Sequence, residues 1–214
     1  MKFLDYHIGK QIRKPSGVLG RILGYIMAAD HKALTKWTLE QLQIEKNDSV
    51  LDIGCGSGMA IEMINNIATK GYVVGIDYSP VMVEQAIKKN KLAVKAGKTK
   101  ILQGNVSNLP FADASFDKIC AIETFYFWPD PHKNLLEVKR VMKPGSAAAF
   151  AMEISKEGTN SSAILDNAQR LGFPIYSGQE MKSLLVTAGF INVSCKVIPE
   201  REKGWLCAVG SIEK

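Results

Sequence analysis

The first regular pattern along the chain is helical. From about Arg21 to Leu42 the apolar positions Ile22, Tyr25, Ile26, Ala29, Ala33, Leu34, Trp37 and Leu42 recur at spacings near three and four. That periodicity predicts one or two helices laid over another layer. The stretch before it, with Gly9, Pro15, Ser16, Gly17 and Gly20, reads as loop. After residue 46 short apolar runs alternate with amphipathic stretches. Strands are expected at Ser49–Ile53, Tyr72–Ile76, Lys100–Gln103, Phe116–Ile122 and Ala147–Met152. Helices are expected at Ala60–Ala68, Pro80–Val94, His132–Met142 and Asn160–Leu171. Ser79 before Pro80 supplies an N-cap and a first-turn proline, and Pro144-Gly145 stops the helix that begins at His132. Ser177-Gly178-Gln179-Glu180 has the spacing of a capping box and opens a helix to Ala188, closed by Gly189. Residues 191–198 and 204–212 read as a final hairpin. Strands alternating with helices imply an α/β domain around a mainly parallel sheet, to which the hairpin adds one antiparallel strand at an edge.

The chemistry gathers where the first strand ends. In Val50-Leu51-Asp52-Ile53-Gly54-Cys55-Gly56-Ser57-Gly58 an apolar strand runs into a glycine-rich turn, with a helix to follow. Glycines let a ligand approach the backbone, and such a turn lies at the carboxyl ends of the strands, where α/β sheets bind ligands. A dinucleotide fingerprint would need a third glycine at 59 or 61, where Met59 and Ile61 stand. A P-loop would need Gly-Lys-Ser/Thr, which does not follow. What remains is G-x-G-x-G preceded by Asp52. Asp77, 19 residues beyond Gly58, ends the second strand. An acid there can accept hydrogen bonds from two ribose hydroxyls, or it can simply cap the next turn. Together, loop and acid point to a nucleoside without a pyrophosphate.

From about residue 47 to 212 the chain resembles the class I S-adenosylmethionine (SAM)-dependent methyltransferases. Asp52 through Gly58 is similar to their glycine-rich motif, and Asp77-Tyr78-Ser79-Pro80-Val81-Met82 followed by Ala86 to their D-x-S-x-x-M-x-x-x-A run. Gly104-Asn105-Val106 stands where many members carry Gly-Asp-Ala beside the adenine. Leu109-Pro110-Phe111, Ser115-Phe116-Asp117 and Arg140-Val141-Met142-Lys143-Pro144-Gly145 match further family segments in order. Met27 to Leu42 is similar to the leading helix of the ubiquinone/menaquinone-type members. The resemblance implies a Rossmann-like, seven-stranded, mainly parallel sheet with helices on both faces and one antiparallel edge strand. It implies SAM as cofactor, held by Asp52, Gly54, Cys55, Gly56, Gly58, Asp77, Tyr78, Met82, Asn105, Val106 and Glu123. Asn105 departs from the usual acid, and Ser146 replaces a common glycine.

Methyl transfer from a sulfonium needs an acceptor held in line, and a base only where the acceptor must lose a proton. The fourth strand ends in Glu123-Thr124-Phe125-Tyr126-Phe127-Trp128. These rings can wall an acceptor pocket or face a sulfonium, or they can be core. Glu123, Tyr126 and His31 are the candidate catalytic residues; each also has another reading, Glu123 as a structural or exposed group, Tyr126 as core packing and His31 as a surface or capping group. Residues 1–46 are expected to form a helical cap or lid, and residues 47–214 the SAM-binding domain. Two other functions remain open: a SAM- or nucleoside-binding protein without catalysis, and an RNA or protein methyltransferase.

Composition narrows these choices. The formal net charge is +6, concentrated locally at Lys88, Lys89, Lys91, Lys95, Lys98 and Lys100. No aromatic residue interleaves this run, so it reads as a solvated face rather than a nucleic-acid site. The four cysteines, 55, 120, 195 and 207, form no C-x-x-C pair, and neither a zinc site nor another metal is expected. With no signal-type start and no apolar run long enough to span a membrane, the chain reads as cytoplasmic, with a small-molecule acceptor as partner.

Overall fold

The first two strands are apolar runs buried on both faces, as a covered parallel sheet requires. In chain order the strands are β1 (Ser49–Ile53), β2 (Tyr72–Asp77), β3 (Thr99–Gln103), β4 (Phe116–Ile122), β5 (Met142–Met152), β6 (Ile191–Ile198) and β7 (Trp205–Ser211). The computed structural model describes residues 13–18, 20–22, 30–159, 166–168, 170–199 and 203–214. Among these, the strands form one seven-stranded sheet in the order β3-β2-β1-β4-β5-β7-β6. β1 to β5 run parallel, with Leu51 of β1 opposite Val74 of β2 and Ile119 of β4. The closing hairpin turns the direction at that edge: β7 lies antiparallel to both β5 and β6.

Helices cover both faces. α1 (Lys32–Leu42) and α2 (Met59–Ile67) pack one face, where Leu34, Leu39, Ile61 and Ile64 meet Val50, Val73, Cys120 and Ala149. α5 (Pro131–Val141) and α6 (Gly178–Thr187) pack the other, placing Leu135, Val138, Met181 and Leu185 against Leu51, Ile119 and Phe150. α3 (Pro80–Lys89) and the short α4 (Lys91–Lys95) lean on the β2–β3 edge. The N-terminal helical segment is therefore part of the core layer from residue 32 onward. The chain crosses from β3 to β4 on the far side of β1, so the strand order reverses beside β1. A crevice opens at such a reversal beyond the carboxyl ends of the strands.

Several local expectations change. The helix expected over Pro80–Val94 breaks at Asn90, whose buried side-chain amide donates to Gly58 O (2.9 Å) and Ala86 O (3.1 Å). The helix expected to reach Met142 ends at Val141, because Met142 already pairs with Phe116. Pro144 and Gly145 then sit in a register shift of β5, where a proline costs no ladder bond. His31 is not within a helix but is the N-cap residue of α1. The capping box at Ser177 and Glu180 is present in full. The helix expected over Asn160–Leu171 lies largely outside the described residues.

Candidate active site

The crevice beside β1 holds a cavity of about 440 Å³. Its floor is the turn after β1, where Gly54, Gly56 and Gly58 all take positive φ (75°, 51° and 83°). The three glycines answer different demands. A Cβ on Gly54 would sit 2.5 Å from Thr124 Oγ1, so bareness there lets the β1 and β4 ends close together. A Cβ on Gly56 would meet nothing within 4 Å, and this residue faces the cavity. Gly58 does not line the cavity: a Cβ there would meet Ala86 and Asn90, so it serves the packing of α2 on α3.

Asp77, at the end of β2, is fixed against this turn. Its Oδ2 accepts the Gly56 N–H and its Oδ1 the Ser79 N–H, each at 2.8 Å. Burial pushes its pKa up, and the two N–H donors pull the other way. Each oxygen keeps a lone pair for a ligand hydroxyl. Asp52 is buried; its Oδ1 takes a long contact from the Cys120 thiol (3.5 Å), and its Oδ2 is without a partner among the described residues. Desolvation raises its pKa to about 7, against the lowering effect of that thiol. Cys55, Tyr78, Met82, Asn105 and Val106 line the same cavity, Tyr78 with the Lys14 ammonium 3.8 Å above its ring. The Trp128 indole N–H, buried in the wall, also lacks a partner among the described residues. A bare turn opening onto the cavity, a pre-oriented carboxylate and orphaned polar atoms in its walls fit a nucleoside-bearing ligand.

The opposite wall is built by the ends of β4 and β5. Glu123 takes a positive φ of 58°, unusual for a residue with a side chain, and its carboxyl is largely buried. Oε1 accepts the Glu153 N–H, and Oε2 accepts the Tyr126 hydroxyl. His31 Nε2 lies 3.6 Å from Glu123 Oε2 and 3.8 Å from Glu153 Oε1. Lys203, just ahead of β7, places its ammonium 2.8 Å from Glu153 Oε1 and 3.9 Å from Asp30 Oδ2. Asp30, His31 and Glu153 converge with one polar atom each within 4.8 Å, and Lys203 supplies the cation beside them. Desolvation lifts Glu123 to about 7, against the pull of His31. Burial tends to lower the His31 pKa, but Glu153, Glu123 and Asp30 together raise it. Burial tends to raise Glu153, and contacts with His31 and Lys203 bring it below its ordinary value.

Of the residues singled out in the sequence, the cavity brings together Asp52, Gly54, Cys55, Gly56, Asp77, Tyr78, Met82, Asn105, Val106, His31 and Glu123. Tyr126 and Gly58 stand behind the wall. The aromatic run divides: Phe125 is core, whereas Phe127 and Trp128 face the cavity. Glu153 and Lys203 belong to no motif, and only their positions directly after β5 and just ahead of β7 offer a signal in the sequence; Arg13 offers none.

A doubly wound sheet whose switch-point cavity has a bare glycine turn beside a fixed carboxylate has the form of a nucleoside-binding α/β protein. Comparison with known proteins narrows this. Residues 51–150 match the family model described as a methyltransferase domain. The O-methyltransferase rstn1 of Aspergillus nomiae is 34% identical over 159 residues, 73% of this chain and 70% of the relative. A demethylmenaquinone methyltransferase of Lactiplantibacillus plantarum is 32% identical over 127 residues, 59% of this chain and 54% of the relative. Among solved structures, a chain from the complex of the Haloferax volcanii Trm112 methyltransferase activator with a methyltransferase superposes with a TM-score of 0.75 at 25% identity, covering 91% of this chain and 94% of that one. The chain belongs to the class I SAM-dependent methyltransferases and is an enzyme that uses SAM as methyl donor. Among the described residues, no helix is long and apolar enough to cross a membrane.

Proposed function

We propose that this methyltransferase acts on a small molecule held in the part of the cavity walled by His31, Glu123, Phe127 and Trp128. Asp77 accepts from the ribose hydroxyls of SAM, with Gly54, Cys55 and Gly56 as the bare floor beneath it and Asp52 behind. Tyr78, Met82, Asn105 and Val106 form the adenosine side, and Glu123 closes the methyl end. When bound, SAM supplies an electrophilic methyl carbon whose leaving thioether needs no proton. The protein's own work is then to orient the acceptor and exclude water. Phe127 and Trp128 serve exclusion, and His31 and Glu123 face any proton the acceptor releases, with Tyr126 bracing Glu123 from behind. Residues 13–18 act as the lid: Lys14 and Pro15 roof the cavity, and Ser79 Oγ donates to Pro15 O. The basic run at 88–100 takes no part. Four free cysteines suit a reducing cytoplasm.

The observation that carries this reading is the half-buried Asp77 carboxylate, held by the Gly56 and Ser79 N–H groups at the rim of the cavity. Calorimetry with SAM and with its demethylated product is the test. Both should bind, and Asp77→Ala should weaken SAM by about 2–3 kcal/mol, roughly 100-fold, the scale of lost hydrogen bonds to a charged group. Undiminished affinity in that variant would remove the assignment. Labelled SAM incubated with a small-metabolite extract separates an enzyme from a carrier, because a carrier retains the label and passes none on.

A further inference from the structure

We propose that the outward side of α3 and α4 docks on an anionic membrane surface, where Leu92, Ile87 and Ile22 enter the headgroup layer and Lys88, Lys91 and Lys95 meet lipid phosphates. This goes beyond the methyl-transfer reading and does not depend on it. A surface helix ordinarily turns its aliphatic residues to the core. On this side that rule is broken: Leu92 is 76% exposed, Ile22 51% and Ile87 39%. Ile87 and Lys88 follow Glu84 by three and four positions and share its side of α3. Glu84 holds the Arg21 guanidinium and Gln85 donates to Arg21 O, which lays Ile22 alongside. In α4, Lys91, Leu92 and Lys95 share one side by the same spacing.

The charges on this side do not balance. Glu84 pairs with Arg21, and Glu62 with Lys89. Lys88, Lys91 and Lys95 are exposed and have no carboxylate within ion-pair distance among the described residues. The surplus is positive, and it surrounds aliphatic side chains rather than lying apart from them. A single exposed aliphatic residue is ordinary on any protein surface. Three set among cations that lack a counter-charge need a partner that takes both. The face also begins at the cavity rim: Tyr78, which lines the cavity, directly precedes Ser79, the N-cap of α3.

Nucleic acid fits this face less well. Its phosphates would take the lysines and leave the aliphatic side chains in water, and residues 87–100 carry no aromatic ring for a base to stack on. A lipid surface offers anionic phosphates directly over acyl chains. Each lysine stem can lie along apolar surface with its ammonium at the phosphates. Leu92 and the two isoleucines can sink between headgroups, as the apolar face of an interfacial helix does. Attraction of the lysines to anionic lipid then adds to the burial.

The test is sedimentation of the full chain with vesicles, phosphatidylglycerol mixed into phosphatidylcholine in one set and phosphatidylcholine alone in the other. The chain should bind the first set and not the second, and should be released as salt rises. Leu92→Ser should weaken binding about ten-fold, the scale of one leucine returned to water. Lys91→Gln combined with Lys95→Gln should weaken it about 25-fold, roughly five-fold for each lysine near an anionic surface. Both variants should keep the parent's SAM affinity in calorimetry, because none of these residues lines the cavity. Equal binding to neutral vesicles, or no binding to anionic ones, would overturn the proposal. So would full binding by Leu92→Ser, since lysines adsorbing alone need no aliphatic insertion. Capture of a single-stranded RNA, unaltered by Leu92→Ser and without vesicle binding, would assign the face to nucleic acid instead.

Discussion

Asp52 holds a carboxyl whose two oxygens find, among the described residues, only one long contact from a thiol. With its folded pKa lifted to about 7, far above an unfolded aspartate, the native state binds the extra proton between about pH 4 and 7. Stability contributed by this group is therefore greatest at the acid end of that window and declines as pH rises through it. Asp52→Asn removes the cost of ionisation. In thermal melts without SAM, the variant should gain on the parent progressively from pH 5 to pH 7; a constant difference across that range would contradict the linkage. Asp52, Asp77 and the glycines were legible in the sequence because each is tied to its neighbours by a short fixed spacing at a strand end. Glu153 and Lys203 were not, since their meaning arises only when β5 and β7 become neighbours and α1 brings His31 over both. Gly58 was legible as a glycine, but the packing constraint on it was not, since that comes from Ala86, a residue of another helix.

At the scale of elements, the ends of the helices are where single side chains decide. The Ser177 hydroxyl accepts the Glu180 N–H at 3.1 Å, and Glu180 returns the bond to the Ser177 N–H at 2.8 Å. Ser177→Ala should cost about 1 kcal/mol in urea unfolding, the usual worth of an N-cap. It should leave SAM affinity unchanged, because no residue of α6 lines the cavity. Asn90 differs, since its amide joins the α3 terminus to the glycine turn through Gly58 O. Asn90→Ala should lose roughly 1–3 kcal/mol, the penalty for unsatisfied buried partners, and should weaken SAM as well. The capping box could be read directly, for its spacing is local. The break at Asn90 could not, because Lys91–Lys95 is as helix-compatible as what precedes it, and the interruption comes from a contact 32 residues away.

At the scale of the molecule, residues 13–18 and 20–22 strap the segment around Gly172 to α3 and its N-cap. Arg13 reaches Gly172 O at 2.8 Å, Ser79 Oγ meets Pro15 O, and Arg21 pairs with Glu84 while its carbonyl accepts from Gln85 at 2.9 Å. Arg13 also lies over the Phe173 ring. Arg13→Ala should speed SAM release in stopped-flow measurements while leaving the melting temperature of the ligand-free protein nearly unchanged. Binding should stabilise the whole chain. At SAM a hundredfold above its dissociation constant, linkage gives about 2.7 kcal/mol, or roughly 5–10 °C for a domain of this size. The α/β layering was legible because alternating periodicities write it along the chain. The strap was not, because loops are positioned by partners rather than by period.

The left-handed backbone at Glu123 has an evolutionary consequence. Glycine or asparagine would occupy that conformation more comfortably than glutamate does. A library selected only for heat resistance, with no demand for turnover, should drift toward those two residues at this position and gain toughness by surrendering a carboxyl. On the role proposed here for Glu123, a lineage under metabolic demand would keep that conformational penalty, and residue 123 should report whether a distant cousin still works as a catalyst.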